Sequence, residues 1–157
     1  MGLREDILSE PVSELGMREL LILKADDTVL DAVQLMRKKR LGCVLVVDGE
    51  GKPVGEFTEH MLLQLIGGGS EAMSKELKDV VSQEWISVLD TDPIAKVLDA
   101  MQNHGRRFVI VVDSQGKAIG LTGQRGMMEY IADHFPRQVK VHMIDDAKLY
   151  MDQREGA

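Results

Sequence analysis

A single shift along the chain lays it on itself. Gly55 recurs as Gly120, 65 positions on, and the same shift superposes Asp27 on Asp92, Met36 on Met101, Val44 on Val109 and Ile66 on Ile131. It also lays "VVD" at Val46–Asp48 on "VVD" at Val111–Asp113, and Gly51 and Lys52 on Gly116 and Lys117. Repetition at fixed spacing marks one supersecondary unit used twice. A unit of about 60 residues buries too little surface to be stable alone, so the two copies are expected to pack their sheets together.

Each copy can be read for local structure. Val29, Ala32, Val33 and Met36 fall at i, i+3, i+4 and i+7, the stripe of an amphipathic helix, with Asp26 and Asp27 where an N-cap belongs. In the second copy Ile94, Val97, Leu98 and Met101 make the same stripe. Asp92 followed by Pro93 predicts that helix's start and Gly105 its end. Continuous apolar runs follow, Cys43–Val47 and Phe108–Val112, which suit strands covered on both faces. Turn-rich "DGEGK" and "DSQGK" then lead into the returning strands "PVGEF" and "AIGL". A second helix starts at Met61, Leu62, Leu65 and Ile66, and again at Met127, Met128 and Ile131. Short runs at Glu19–Leu23 and Trp85–Leu89 supply one strand before each first helix.

The order is therefore strand, helix, strand, strand, helix, twice, a mixed α+β fold. The expected divisions are a lead-in over 1–11, a first repeat over 12–66, a connector over 67–76 that contains "GGGS", a second repeat over 77–134 and an extension over 135–157. In the extension Met143, Ala147, Tyr150 and Met151 share one helical face, which predicts either a docking amphipathic helix or a frayed terminus.

Charge and composition narrow the partners. A net charge of -7 and a pI near 5.1 repel nucleic-acid phosphates and anionic lipid. No run reaches membrane-spanning length, and the first ten residues mix charges of both signs without an apolar stretch. The expectation is a soluble cytoplasmic protein with no nucleic-acid or membrane partner. Cys43, the single cysteine, opens an apolar run and reads as a small buried hydrophobe. His60, His104, His134 and His142 are too scattered for a metal site, and no catalytic constellation or cofactor fingerprint is present, so neither metal, cofactor nor catalysis is expected. The basic clusters Arg37–Arg40 and Arg106–Arg107 read either as solvated helix ends or as attractors of a small anion. Trp85 suits either a core or a stacking position beside a cleft.

The element order, the "VVD" hairpin ending in "VG" and the Thr-x-x entry into a helix resemble a tandem pair of CBS domains, the Bateman module, from about Val12 to about His134. The resemblance implies a regulatory module whose two units pack through their sheets about a pseudo-twofold axis. Two clefts result, which in many members hold adenine nucleotides or S-adenosylmethionine, and modules commonly pair into a flat homodimer. The family's binding signature is Gly, two apolar residues, Thr or Ser, two variable residues, then Asp, with the hydroxyl on phosphate at a helix N-terminus and the aspartate on ribose.

Carried onto this chain, the first copy gives Gly55, Glu56, Phe57 and Thr58, with Met61 at the aspartate position; the second gives Gly120, with Gly123 for the hydroxyl and Gly126 for the aspartate. Thr58 then serves either as a plain N-cap or as a phosphate contact as well. A hydrogen bond to a charged partner contributes roughly 1.5 to 3 kcal/mol, so losing a two-toothed ribose contact weakens a nucleotide about a hundredfold or more. Gly123 and Gly126 leave room for close approach, and Arg125, Arg106 and Arg107 stand ready for a phosphate or carboxylate. Two functions are carried forward. One is a sensor of a small anionic metabolite such as AMP or ATP, using Thr58 or the three arginines. The other is a ligand-free module for dimerisation or for docking on a partner protein.

Overall fold

The structure is a computed structural model that describes residues 2–134. A short helix α1 (Leu3–Ser9) and a 3-10 turn at Val12–Glu14 precede the first repeat, which runs β1 (Ile22–Lys24), α2 (Val29–Lys39), β2 (Cys43–Val47), β3 (Pro53–Thr58) and α3 (Glu59–Ile66). Further 3-10 turns at Ser70–Ser74 and Leu77–Asp79 lead to β4 (Ser87–Leu89), α4 (Ala95–Gln102), β5 (Phe108–Val112), β6 (Ala118–Gly123) and α5 (Gln124–His134). The extension over 135–157 lies outside the described residues.

Each repeat builds one three-stranded sheet, in order β1-β2-β3 and β4-β5-β6, with a parallel first pair and an antiparallel second. The registers match residue for residue: Leu45 faces Glu56 where Ile110 faces Leu121, and both hairpins slip between the two valines of "VVD", Val46/Val47 and Val111/Val112. Every residue of β2 is buried, as the continuous apolar run predicts. Alternate residues of β5 serve two cores, because successive side chains leave a strand on opposite faces. Val109 and Val111 pack with Ile94, Val97 and Met127 of their own repeat, while Ile110, Val112 and Leu121 join Leu45, Val46 and Phe57 of the first. The sheets thus share a seam.

The lead-ins are exchanged between repeats. Val12, ahead of the first repeat, is fully buried in the core of the second, and its N–H donates to the Asp92 carbonyl at 2.8 Å. Its mate Leu77, ahead of the second repeat, is fully buried in the core of the first and donates to the Asp27 carbonyl at 2.8 Å. The isolated bridges Pro11–Pro93 and Thr28–Glu76 are likewise mates. Farther on, the first lead-in crosses β6 at Arg18–Leu121 and the second crosses β3 at Ser82–Glu56. Gly55 and Gly120 lie under these crossings. A Cβ on Gly55 would sit 2.7 Å from the Ser82 carbonyl oxygen, and one on Gly120 would sit 2.8 Å from Met17 Sδ. Close backbone approach accounts for the glycine at Gly55, while at Gly120 the close neighbour is the Met17 side chain.

The helix starts differ from the sequence expectation. Thr28, not Asp26 or Asp27, caps α2: its Oγ1 accepts from the Asp31 N–H at 3.2 Å and the Asp31 carboxylate accepts from the Thr28 N–H at 2.9 Å, a reciprocal capping box. Asp27 instead accepts from the Lys24 N–H at 2.7 Å, and its mate Asp92 from the Leu89 N–H at 2.9 Å. These carboxylates close the strand-to-helix turn, so α4 begins at Ala95 with no side-chain cap. Gly105 adopts φ 61° just beyond α4, as its place there predicts. Among the described residues no helix is long and apolar enough to cross a membrane.

Candidate functional site

Two clefts open where the entries to β2 and β5 meet the starts of α3 and α5. They are mates under the repeat, yet one has a volume of about 500 Å³ and the other about 180 Å³. The larger cleft lies at the first turn of α5, Gln124–Gly126, where the helix leaves backbone N–H groups without intrahelical partners. Leu41, Phe108, Leu121 and Met128 supply its apolar wall.

Four arginines reach this cleft: Arg18, Arg40, Arg107 and Arg125, against two carboxylates, Glu59 and Glu129. The Arg125 Nε donates to Glu129 Oε1 at 2.6 Å, and Arg107 Nη1 stands 3.8 Å from Glu59 Oε2 with its guanidinium 5.5 Å from the centre of the Phe108 ring. Both side chains are largely exposed, so these pairs are weak and an incoming anion can claim either cation at little cost. Arg18 and Arg40 make no ion pair among the described residues. Arg40 holds φ 53° at the end of α2, where a side chain other than glycine costs about 1–2 kcal/mol. Its mate in the second repeat is Gly105, which takes φ 61° without that cost.

The smaller cleft contains Thr58 and is closed by an ion pair. Thr58 caps α3, its Oγ1 accepting from the Met61 N–H at 3.4 Å. Behind it Glu56 is 3% exposed, and its Oε1 accepts from Arg106 Nη1 at 2.7 Å. Burial pushes the Glu56 carboxyl above its ordinary value, with the Arg106 guanidinium opposing the shift. The other terminal nitrogen of Arg106 donates to the Glu84 carbonyl oxygen.

The residues singled out in the sequence thus divide. Arg107, Gly123 and Arg125 meet in the larger cleft, and Arg107 also lines the smaller one, where Arg106 stands beside Thr58 and away from Arg125. Gly55, Phe57 and Gly120 line neither cleft; Phe57 is a fully buried core residue. Trp85 packs on the first core. Gly123 has φ 150° and a Cβ there would strike the Arg107 carbonyl, while a Cβ on Gly126 would lie 2.7 Å from the Gly16 carbonyl oxygen and against Thr122 Oγ1. Protein packing already fills the space that side chains at these two positions need. Arg18 and Glu56 were missed by sequence reasoning; the signal for Glu56 was a carboxylate at the centre of an otherwise apolar strand. Cys43 is buried, and burial together with the nearby Glu56 pushes its thiol up to about 12, so it stays protonated. No cluster of metal-ligating side chains occurs among the described residues.

Comparison with known proteins bears on the fold. An uncharacterised 17.7 kDa protein of Acidianus ambivalens is 21% identical over 126 residues, which cover 80% of this chain and 76% of that protein. The chain spans only 62% and 40% of two longer uncharacterised relatives, from Methanopyrus kandleri and Methanocaldococcus jannaschii. Among solved structures, a CBS domain protein of Pyrobaculum aerophilum complexed with AMP superposes with a TM-score of 0.68 at 24% identity, covering 74% of this chain and 88% of that one. A CBS domain pair in complex with 5-methylthioadenosine and S-adenosyl-L-methionine gives 0.69 at 15% identity, covering 79% and 97%. The family model for the CBS domain matches twice, at residues 12–68 and 77–133, and with both repeats accounted for the chain belongs to the CBS domain family.

Proposed function

We propose that this chain is a regulatory module that senses a small anionic metabolite, with an adenine nucleotide such as AMP or ATP the best fit, in the larger cleft between its repeats. The observation that carries the reading is the set of four arginines around an apolar wall at the start of α5. Guanidinium groups and free helix N–H groups suit phosphate, and Leu41, Phe108 and Leu121 suit a flat apolar group beside it. Arg40 strengthens the case, because an arginine is kept at a backbone position that favours glycine. The solved relatives with AMP and with S-adenosyl-L-methionine bring the same ligand class to this chain.

A thermal-shift panel of AMP, ATP, NAD, S-adenosylmethionine and inorganic phosphate tests the reading. A ligand at a hundred times its Kd stabilises the folded state by about 2.7 kcal/mol. AMP or ATP should raise the Tm, and Arg40→Ala with Arg107→Ala should remove the shift while leaving the ligand-free Tm nearly unchanged. No shift at millimolar nucleotide rejects the sensor. A second reading, a homodimerising or partner-docking module, is favoured by Leu63 and Ile66 of α3 and Met128 of α5, which are 69%, 49% and 57% exposed. Sedimentation of the chain across a concentration series checks it, and a monomer throughout would remove the homodimer.

A further inference from the structure

The two clefts are built from mate positions, and two of the positions at which they differ decide what fills them. Where the smaller cleft has Glu56 and Arg106, the larger has Leu121 and Leu41. The strand registers confirm the equivalence, with Glu56 opposite Leu45 and Leu121 opposite Ile110. We propose that the Glu56–Arg106 ion pair is a built-in occupant of the smaller cleft, so that this duplicated chain takes one ligand and not two. The proposal rests on the reading of the larger cleft as a ligand site.

Three observations support it. The Arg106 guanidinium is spent on protein acceptors, the Glu56 carboxylate and the Glu84 carbonyl, so it is not offered to an anion in this cleft. The volume left, about 180 Å³, falls below the roughly 300 Å³ at which ligand pockets begin, while its mate at about 500 Å³ lies within their range. Stability does not explain the pair. Burying a carboxylate such as Glu56 costs desolvation that its ion pair need not repay, and Leu41 with Leu121 demonstrates that this backbone accommodates the apolar alternative. Arg106 Nε is moreover buried with no hydrogen-bond partner among the described residues, which makes the pair less favourable still.

Equilibrium dialysis with AMP counts the sites. Wild type should saturate at about one AMP per chain. Glu56→Leu with Arg106→Leu, which copies the larger cleft into the smaller, should raise the count to about two. The reciprocal Leu41→Arg with Leu121→Glu should lower it to about none, each variant being scored once its circular dichroism melt shows a folded protein. A wild type that takes two, or a folded leucine variant that still takes one, overturns the proposal, as does a folded reciprocal variant that keeps its site. Failure of the underlying reading looks different. A wild type that takes none beside a leucine variant that takes one keeps the ion-pair plug and rejects the larger cleft. If neither binds AMP, both fall.

Discussion

Leu77→Ala tests the exchanged lead-ins, because Leu77 belongs by sequence to the second repeat and by packing to the first. Its side chain is fully buried beside Val29, Ala32 and Met36. Removing three buried carbons forfeits about 2.5 kcal/mol at roughly 0.8 kcal/mol each, before any cavity term. Leucine-to-alanine changes in cores span about 2–5 kcal/mol according to how far the site collapses. Met73 and Val80 pack against the same core and are only partly buried, and inward movement of such side chains would place the loss near ~3 kcal/mol. Against a total of about 5–15 kcal/mol for a protein of this size, the loss is large enough to read by urea denaturation. Native-state amide exchange then locates it. The Leu77 and Lys78 N–H groups hold the Asp27 and Ala25 carbonyls at 2.8 and 2.9 Å, so exchange should quicken across 22–47 and little across 87–112. A loss below about 1 kcal/mol, or faster exchange confined to the second repeat, would refute the exchange of lead-ins as a source of stability.

Two further outcomes are expected. Gly126→Asp restores the acidic residue of the family signature, yet it should destabilise the fold by about 1–3 kcal/mol, because its Cβ meets the Gly16 carbonyl oxygen and the Thr122 hydroxyl. An unchanged Tm together with tighter AMP binding would contradict this. Cys43 should resist Ellman's reagent in the native state from pH 7 to pH 10 and react fully in urea, since its thiolate forms only near the value of about 12 set by burial; prompt native labelling at pH 8 would show that the thiol is not enclosed.

The parts of the fold legible in the sequence were those written locally. The apolar runs at β2 and β5, the "VVD" turns and the helical stripes report the chain's own neighbours, and the repeat tied the two copies together. Helix starts were harder, because an aspartate near a helix N-terminus can satisfy either a turn N–H or a helix N–H; Asp27 and Asp92 took the turn, and Thr28 took the helix. The exchange of lead-ins left no local signature, since apolar residues such as Val12 and Leu77 fit either core equally well by composition. Arg18 was invisible for the same reason: it reaches the larger cleft only because its segment crosses to Leu121 of the other repeat. Arg106 and Arg107 looked like one cluster in sequence; both line the smaller cleft, but only Arg107 also reaches the larger one, while Arg106 is held by Glu56.

A duplication binds its two copies unequally at different positions. Gly55 and Gly120 both lie beneath a crossing lead-in, and Asp27 and Asp92 both close the same turn. Such positions answer to backbone geometry, which the pseudo-twofold arrangement repeats. The cleft positions answer to whatever fills the cleft. There the copies have separated: Thr58 against Gly123, Arg106 against Leu41, Glu56 against Leu121 and Gly105 against Arg40. Glu56 and Arg106 stand as an ion pair in the smaller cleft where Leu121 and Leu41 line the larger, and Arg40 in place of Gly105 brings a cation to the larger one. Repeated backbone geometry with divergent side chains at the helix starts thus gives one duplicated fold two unlike clefts.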